Sequence, residues 1–254
     1  MLLGDLLSQR KQEQHKGVTY RGTFCSYGEL YRQAASLAKA VRQLAGGGNQ
    51  VGVILDNSPQ FLQAYFAITL AGKTIVPLKS GATPAEIARI TASCEIRLLL
   101  TDTRHIEKLS RSEVVFAYQL RCYALDEGKA VTLGENKKLV PLSETERTHI
   151  SAEDTALMMH TSGTTSDPKI VMLSHNNLIE NARAVCRSLQ LRESDRTLIF
   201  LPMHLSSANI QMLTHLYLGA DLVILDGIFT WRHFLKVLAR EQITTISCVT
   251  FAVK

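Results

Sequence analysis

Short apolar runs alternate with stretches of helical periodicity along most of this 254-residue chain. The predicted strands are 51–55, 74–78, 96–101, 156–161, 170–173, 198–201, 222–225 and 243–249. The predicted helices are 60–71, 84–93, 176–189, 207–218 and 231–240. Alternation of this kind is typical of parallel sheets covered by helices, joined by right-handed crossovers. The sequence therefore predicts an α/β fold with doubly wound, mostly parallel sheets in two stacked subdomains.

Local signals mark where individual helices begin and end. Before helix 60–71, Ser58 is a candidate N-cap, Pro59 suits the first turn and Gly72 is a candidate stop. Apolar residues recur at helical spacing in this helix and predict one buried face: Phe61, Leu62, Tyr65, Phe66 and Thr69. Thr230 is expected to cap helix 231–240, and Gly219 to end helix 207–218.

The middle of the chain is less regular. Segments 114–118 and 122–125 are candidate short strands, and the charged, glycine-containing segment 127–138 is expected to be a loop. A polar stretch follows over 143–154, where we expect a subdomain boundary. The predicted units are 1–150, a first α/β subdomain, and 151–254, an incomplete second one.

Composition favours a protein of a reducing compartment without a membrane span. The five cysteines are widely spaced and form no C-x-x-C pair, so neither a zinc site nor a disulfide framework is indicated. Polar residues interrupt any signal-peptide core, and charges break the apolar runs. A cytoplasmic location is expected. The net charge of +5 suits anionic ligands or is an ordinary excess of solvated lysine and arginine, and no basic block indicates nucleic-acid binding.

The segment between predicted strands 156–161 and 170–173 carries the strongest chemical signal. It reads Thr-Ser-Gly-Thr-Thr-Ser-Asp-Pro-Lys over 161–169. Hydroxyls and backbone N–H groups donate to phosphate oxygens, glycine permits close approach and lysine adds charge. By composition alone a polar turn explains the segment equally well. A Walker A loop is excluded, because Pro168 lies five positions after Gly163 and Ile170 follows Lys169.

The stretch from His160 to His175 resembles the signature loop of the adenylate-forming (AMP-binding) superfamily, T-S-G-[ST]-T-G-x-P-K-G-V. Ser166 and Ile170 replace glycines common in that pattern. Segments 24–30, 70–78 and 201–204 resemble further segments of the family in the same order. The resemblance is to acyl-CoA synthetases of the fatty-acid–CoA ligase type, and it covers nearly the whole chain but only the first half of a family member.

The resemblance implies ligation in two steps: a carboxylate attacks the α-phosphate of ATP to form an acyl-adenylate, and a thiol of coenzyme A or an acyl carrier protein then takes the acyl group. ATP, Mg²⁺ and coenzyme A would be the cofactors of the full-length parent. The residues implied to hold the β- and γ-phosphates are Thr161, Ser162, Gly163, Thr164, Thr165 and Lys169. His204 would lie near the acyl pocket or the α-phosphate, or is a packed or capping histidine.

The resemblance also bears on the acid. Amino-acid-activating members place an aspartate after the strand that corresponds to 198–201, whereas this chain has no carboxylate from Leu201 to Ala220. A buried ammonium would lack a partner, so a fatty or aryl acid is favoured, most of all a fatty acid of lipid metabolism. Residues of the next helix line the pocket or form an ordinary amphipathic helix: Ser206, Ser207, Ala208, Asn209 and Met212.

Later family segments have no counterpart here. These supply adenine contacts and a magnesium-binding glutamate, a ribose-binding aspartate and the lysine that drives adenylation. We therefore expect no metal site and no catalytic residue within this chain, and little ligase activity from it alone. The alternative is a naturally short, non-catalytic homologue that binds a nucleotide or a protein.

Overall fold

The computed structural model describes residues 1–112, 120–133, 150–160, 169–225 and 230–248. The helices are α1 (Asp5–Ser8), α2 (Tyr27–Ala45), α3 (Pro59–Leu70), α4 (Pro84–Ser93), α5 (Thr103–Ser110), α6 (His175–Ser188), α7 (Ser206–Leu218) and α8 (Trp231–Arg240). The strands are β1 (Gly17–Tyr20), β2 (Thr23–Ser26), β3 (Gln50–Val53), β4 (Thr74–Pro77), β5 (Leu98–Thr101), β6 (Leu120–Ala124), β7 (Lys129–Leu133), β8 (Thr155–His160), β9 (Ile170–Ser174), β10 (Arg196–Ile199), β11 (Asp221–Ile224) and β12 (Thr245–Ile246).

The strands form two sheets. One has the order β12-β10-β11-β1-β2 and the other β7-β6-β5-β3-β4-β8-β9. Neighbouring strands run parallel except in the pairs β1–β2, β6–β7 and β8–β9. The predicted class, mostly parallel sheets covered by helices, is confirmed.

Strand alternation determines which helices cover which face of each sheet. In β11, Leu222 and Ile224 join the main core cluster, to which α2, α3, α6 and α7 contribute, while Val223 packs with α8. In β5, Leu98 and Leu100 join the same main cluster, while Leu99 packs with α4 and α5. Among the described residues, α2, α3, α6 and α7 therefore lie between the two sheets together with the short α1, while α4 and α5 lie outside one sheet and α8 outside the other.

Helix α3 begins and ends as predicted but is more deeply buried than its sequence indicated. The Ser58 side chain accepts a hydrogen bond from the Phe61 amide at 3.3 Å, and Pro59 is the first helical residue. Gly72 follows the helix with φ +74°. Buried residues surround its axis: Phe61, Leu62, Ala64, Tyr65, Phe66, Ala67, Ile68 and Thr69. The expectation of one buried face was wrong, because α3 lies between two sheets.

The observed β7 differs from the predicted loop over 127–138. Residues Lys129–Leu133 pair antiparallel with β6 at the edge of the seven-stranded sheet. An edge strand needs little apolar content, so its charged composition resembled that of a loop. The candidate strand 114–118 lies outside the described residues. The other predicted strands are observed with bounds that differ by a few residues.

Strands from both sides of residue 150 share each sheet. The N-terminal strand β1 pairs with β11, with Val18 opposite Leu222. In the other sheet β8 pairs with β4, with Leu157 opposite Ile75. The division into 1–150 and 151–254 stays a prediction.

Candidate active site

Polar side chains follow several parallel strands at the point where each strand ends. Asp56 and Asn57 follow β3, Lys79 follows β4, and Asp102 follows β5. In the order β5-β3-β4-β8 these strands are parallel neighbours, so their carboxyl ends meet at one edge of the sheet. Open α/β sheets bind ligands at this edge. The candidate site is therefore expected at this carboxyl edge of the seven-stranded sheet.

Asn57 joins this edge to the loop that follows β10 in the other sheet. Its Nδ2 donates to the Leu201 carbonyl at 2.8 Å, and its Oδ1 accepts from the Met203 amide at 2.8 Å. Both atoms of one side-chain amide are thereby used to hold a single turn of backbone. The next residue in that turn is His204, so Asn57 fixes where this predicted site histidine lies.

His204 is half-buried at the carboxyl edge. Burial lowers the pKa of His204, and the positive charge of Lys79 lowers it further. Both causes favour the neutral imidazole, which carries one N–H donor and one acceptor nitrogen. Neutral His204 can therefore donate one hydrogen bond and accept one from a ligand at this edge.

The carboxylates of the edge already have cationic partners. Arg104 Nη2 lies 2.9 Å from Asp56 Oδ2 and 3.4 Å from Asp102 Oδ2. Burial raises the pKa of Asp56, but hydrogen bonds from Ser80 and Arg104 outweigh it, so the net pKa is lowered. His105 Nδ1 lies 2.6 Å from Asp102 Oδ1. Both carboxylates of this cluster therefore share one guanidinium as their cationic partner.

The hydroxyl-rich segment begins and ends at the same edge. Its predicted phosphate-binding residues Thr161, Ser162, Gly163, Thr164 and Thr165 lie outside the described residues, and their role stays a prediction. Lys169 is described and exposed, directly before β9. Because Ile170 pairs with His160, Lys169 lies just beyond the carboxyl end of β8.

The chain matches the AMP-binding enzyme family over residues 8–254. It belongs to that family.

Relatives of this AMP-binding chain include both CoA ligases and peptide synthetases. Gramicidin S synthase 2 of Brevibacillus brevis is 28% identical over 237 residues, which are 92% of this chain and 5% of that protein. Crotonobetaine/carnitine–CoA ligase of Proteus mirabilis (strain HI4320) is 27% identical over 246 residues, which are 93% of this chain and 47% of the ligase. The chain thus spans about half the length of this CoA ligase and a small part of the synthase.

Solved structures share the fold. o-Succinylbenzoate coenzyme A synthetase from Bacillus subtilis, in complex with AMP, is 22% identical with a TM-score of 0.79. The match covers 98% of this chain and 62% of that one. At this sequence identity the likeness establishes the fold and does not identify the ligand.

Helix α7 of the AMP-binding domain is mostly core. Ala208, Asn209 and Met212 are buried, and Asn209 Nδ2 donates to the Tyr65 hydroxyl at 2.9 Å. Of the five residues that the sequence offered as pocket or ordinary helix, these three pack inside. Ser206, at the start of α7, is exposed.

Sequence reasoning singled out neither Asn57 nor Cys94. Cys94 Sγ lies 3.4 Å from Nε2 of His160, the last described residue before the hydroxyl-rich segment. Burial raises the pKa of the Cys94 thiol and lowers that of His160, whose pKa Arg89 lowers further. Both shifts favour the neutral forms of this pair. Nothing in the local sequence predicts either contact, since each joins distant segments.

Neither a metal-binding cluster nor a membrane-spanning helix is found in the described ranges. No group of three or more His, Cys, Asp or Glu side chains there is arranged to hold a metal ion. No helix within 1–112, 120–133, 150–160, 169–225 and 230–248 is both long and apolar enough to cross a bilayer. All five cysteines are free thiols.

Proposed function

We propose that the full-length parent of this chain is an ATP-dependent ligase that joins a carboxylic acid to a thiol through an acyl-adenylate. The observation that carries the proposal is the signature segment 161–169, which is bracketed by β8 and β9 at the carboxyl edge. Membership of the AMP-binding family supports the nucleotide, and the relative from Proteus supports a CoA thiol acceptor.

In the first step a carboxylate oxygen of the acid attacks the α-phosphorus, and the bond to pyrophosphate breaks. The proposed role of this chain is to position the phosphates and to compensate the charge that develops on the leaving group. Lys169 would supply a positive charge, with Thr161, Ser162, Gly163, Thr164 and Thr165 as donors. Neutral His204 would hydrogen-bond to the acid or to the α-phosphate.

The proposed acid carries no ammonium group, which leaves a fatty or an aryl acid, and we propose a fatty acid. The loop and helix after β10 contain no carboxylate before Asp221, and Asp221 lies 3.4 Å from Lys16. At the edge, Asp56 and Asp102 are paired with Arg104. A cationic amino acid would therefore be desolvated without a partner.

The proposed acceptor is coenzyme A or an acyl carrier protein, and Mg²⁺ would accompany ATP. No step is assigned to the metal. Five free thiols suit a reducing, cytoplasmic compartment.

Loss of the Lys169 ammonium should weaken binding of MgATP to this chain. A charge-assisted contact to phosphate is lost in Lys169→Gln, and we expect the dissociation constant to rise by about 10-fold. Isothermal titration at low ionic strength measures this. The matched control is Lys236→Gln, because Lys236 is also exposed but lies on α8, outside the five-stranded sheet. Equal dissociation constants for Lys169→Gln and Lys236→Gln would contradict the phosphate-binding role of Lys169.

The acid class predicts a preference between two acyl-adenylate analogues. A sulfamoyl adenosine bearing a neutral fatty acyl group should bind at least about 10-fold more tightly than an aminoacyl analogue of similar size, because an unpaired buried charge is costly. Competition against one fluorescent nucleotide measures both constants under one condition. Equal affinity, or a preference for the aminoacyl compound, would refute the assignment of a neutral acid while leaving ATP binding intact.

A further inference from the structure

Lys79 is a cation at the carboxyl edge that the resemblance did not assign. It follows β4 directly after Leu78, and its side chain is exposed. Within the described ranges its ammonium forms no salt bridge or side-chain hydrogen bond. Glu86 is near enough to feel its charge, yet that carboxylate already accepts from the Thr83 amide at 2.7 Å.

Strand register shows where Lys79 lies relative to the signature segment. Ile75 of β4 is level with Leu157 of β8, and three further residues along both parallel strands bring Leu78 level with His160. Lys79 therefore lies just beyond the end of β8 on one side. Ile170 pairs with His160 from the other side, so Lys169 lies just beyond the same point.

The two lysines thus flank the end of β8 on adjacent strands, in the order β4-β8-β9. Their backbones are two strand spacings apart, about 10 Å. Two long, flexible side chains that approach from both sides suit a ligand with several negative charges along its length. An ammonium is a compact point charge and binds phosphate oxygens without a fixed angle.

The carboxylates of this edge do not use the charge of Lys79. Asp56 and Asp102 at this edge share Arg104 as their cationic partner, and neither is paired with Lys79. The Lys79 charge therefore remains available at the mouth. Its positive charge also lowers the pKa of His204, the other described residue that the sequence predicts for the site.

We propose that Lys79 is a second phosphate-binding lysine, which together with Lys169 binds the polyphosphate of ATP from opposite sides of β8. This inference rests on the proposed function, because it requires ATP at the signature segment. It assigns Lys79 a positioning role toward the leaving pyrophosphate.

Inorganic tripolyphosphate tests the inference, because it presents the charge pattern of ATP without adenine, ribose or acid. Titrations on the full chain with Mg²⁺ should give a dissociation constant raised roughly 5- to 10-fold in Lys79→Gln, and more in the double variant with Lys169→Gln. Lys79→Arg restores the charge and should recover most of the affinity. Lys236→Gln is the control, and its constant should equal that of the unaltered chain.

Salt and thermal stability distinguish binding from a structural role. The defect of Lys79→Gln should shrink as salt is raised to about 0.5 M, since exposed charges are screened. Its unliganded melting temperature should not change, because Lys79 is exposed. A Lys79→Gln variant that binds tripolyphosphate normally, beside a Lys169→Gln variant that does not, overturns this inference alone. An unaltered chain that binds no tripolyphosphate overturns both this inference and the proposed ATP site.

Discussion

Truncation of Phe66 to alanine is expected to lower the free energy of unfolding by about 3–5 kcal/mol, the usual cost for a phenylalanine in a close-packed core. Phe66 is fully buried in α3, and its ring meets that of Tyr65 edge-on with centroids 5.3 Å apart. Because α3 has packed neighbours on both sides, the surrounding chain has little freedom to collapse into the cavity. Urea denaturation monitored by circular dichroism measures the change.

Phe24→Ala is the matched control for this prediction. Phe24 lies on β2 and is 47% exposed, so the same truncation leaves no cavity. We expect its effect on the unfolding free energy to stay within about 1 kcal/mol. Comparable losses for Phe66→Ala and Phe24→Ala would contradict the placement of α3 between the sheets.

Removal of the Asn57 amide should uncouple the β10 loop from the edge of the seven-stranded sheet. Asn57→Ala loses two hydrogen bonds of 2.8 Å and leaves the Leu201 carbonyl and Met203 amide without their partner. Each bond contributes about 0.5–1.5 kcal/mol, so we expect a loss of about 1–3 kcal/mol in unfolding free energy. Because His204 follows in the same turn, we expect Asn57→Ala to displace this histidine. The affinity of the variant for an acyl-adenylate analogue should then fall about 10-fold.

Two further variants isolate the role of Asn57. Asn57→Asp keeps an acceptor for Met203 but sets a carboxylate oxygen against the Leu201 carbonyl, so it should be no better than alanine. Gln60→Ala, at an exposed position of α3, should change neither stability nor affinity by more than measurement error. If Asn57→Ala loses stability but binds the analogue normally, then Asn57 holds the loop without positioning the site.

Much of the local structure followed from the sequence. Ser58 with Pro59 predicted the start of α3, and Thr230 predicted that of α8, where its side chain accepts from the His233 amide at 3.2 Å. Gly219 adopts φ +78° at the end of α7, as expected of a residue without a Cβ. These helix ends can be predicted from the sequence because capping depends on side chains within a few residues of one another.

The candidate site was predictable only in part. Lys169 and His204 were named from their motifs, and the structure has both at the carboxyl edges of sheet strands. Asn57 and Lys79 were not named. Asn57 and Leu201 are 144 residues apart in the chain, and the neighbours of Lys79 depend on which strand lies beside β4. A local sequence pattern does not specify contacts between residues so far apart in the chain.

By itself the sequence predicted most of the strands and helices after residue 50 and identified the hydroxyl-rich segment 161–169, but it did not predict β1, β2, α2 or α5. Period and capping are short-range properties, and a motif of nine residues is contiguous in the chain. Only the tertiary structure decided that β1 pairs with β11, that α3 is buried around most of its surface and that Lys79 and Lys169 flank one strand end. The order of strands in a sheet depends on which faces can bury apolar area together. The total buried area depends on residues from the whole chain and not on any short segment.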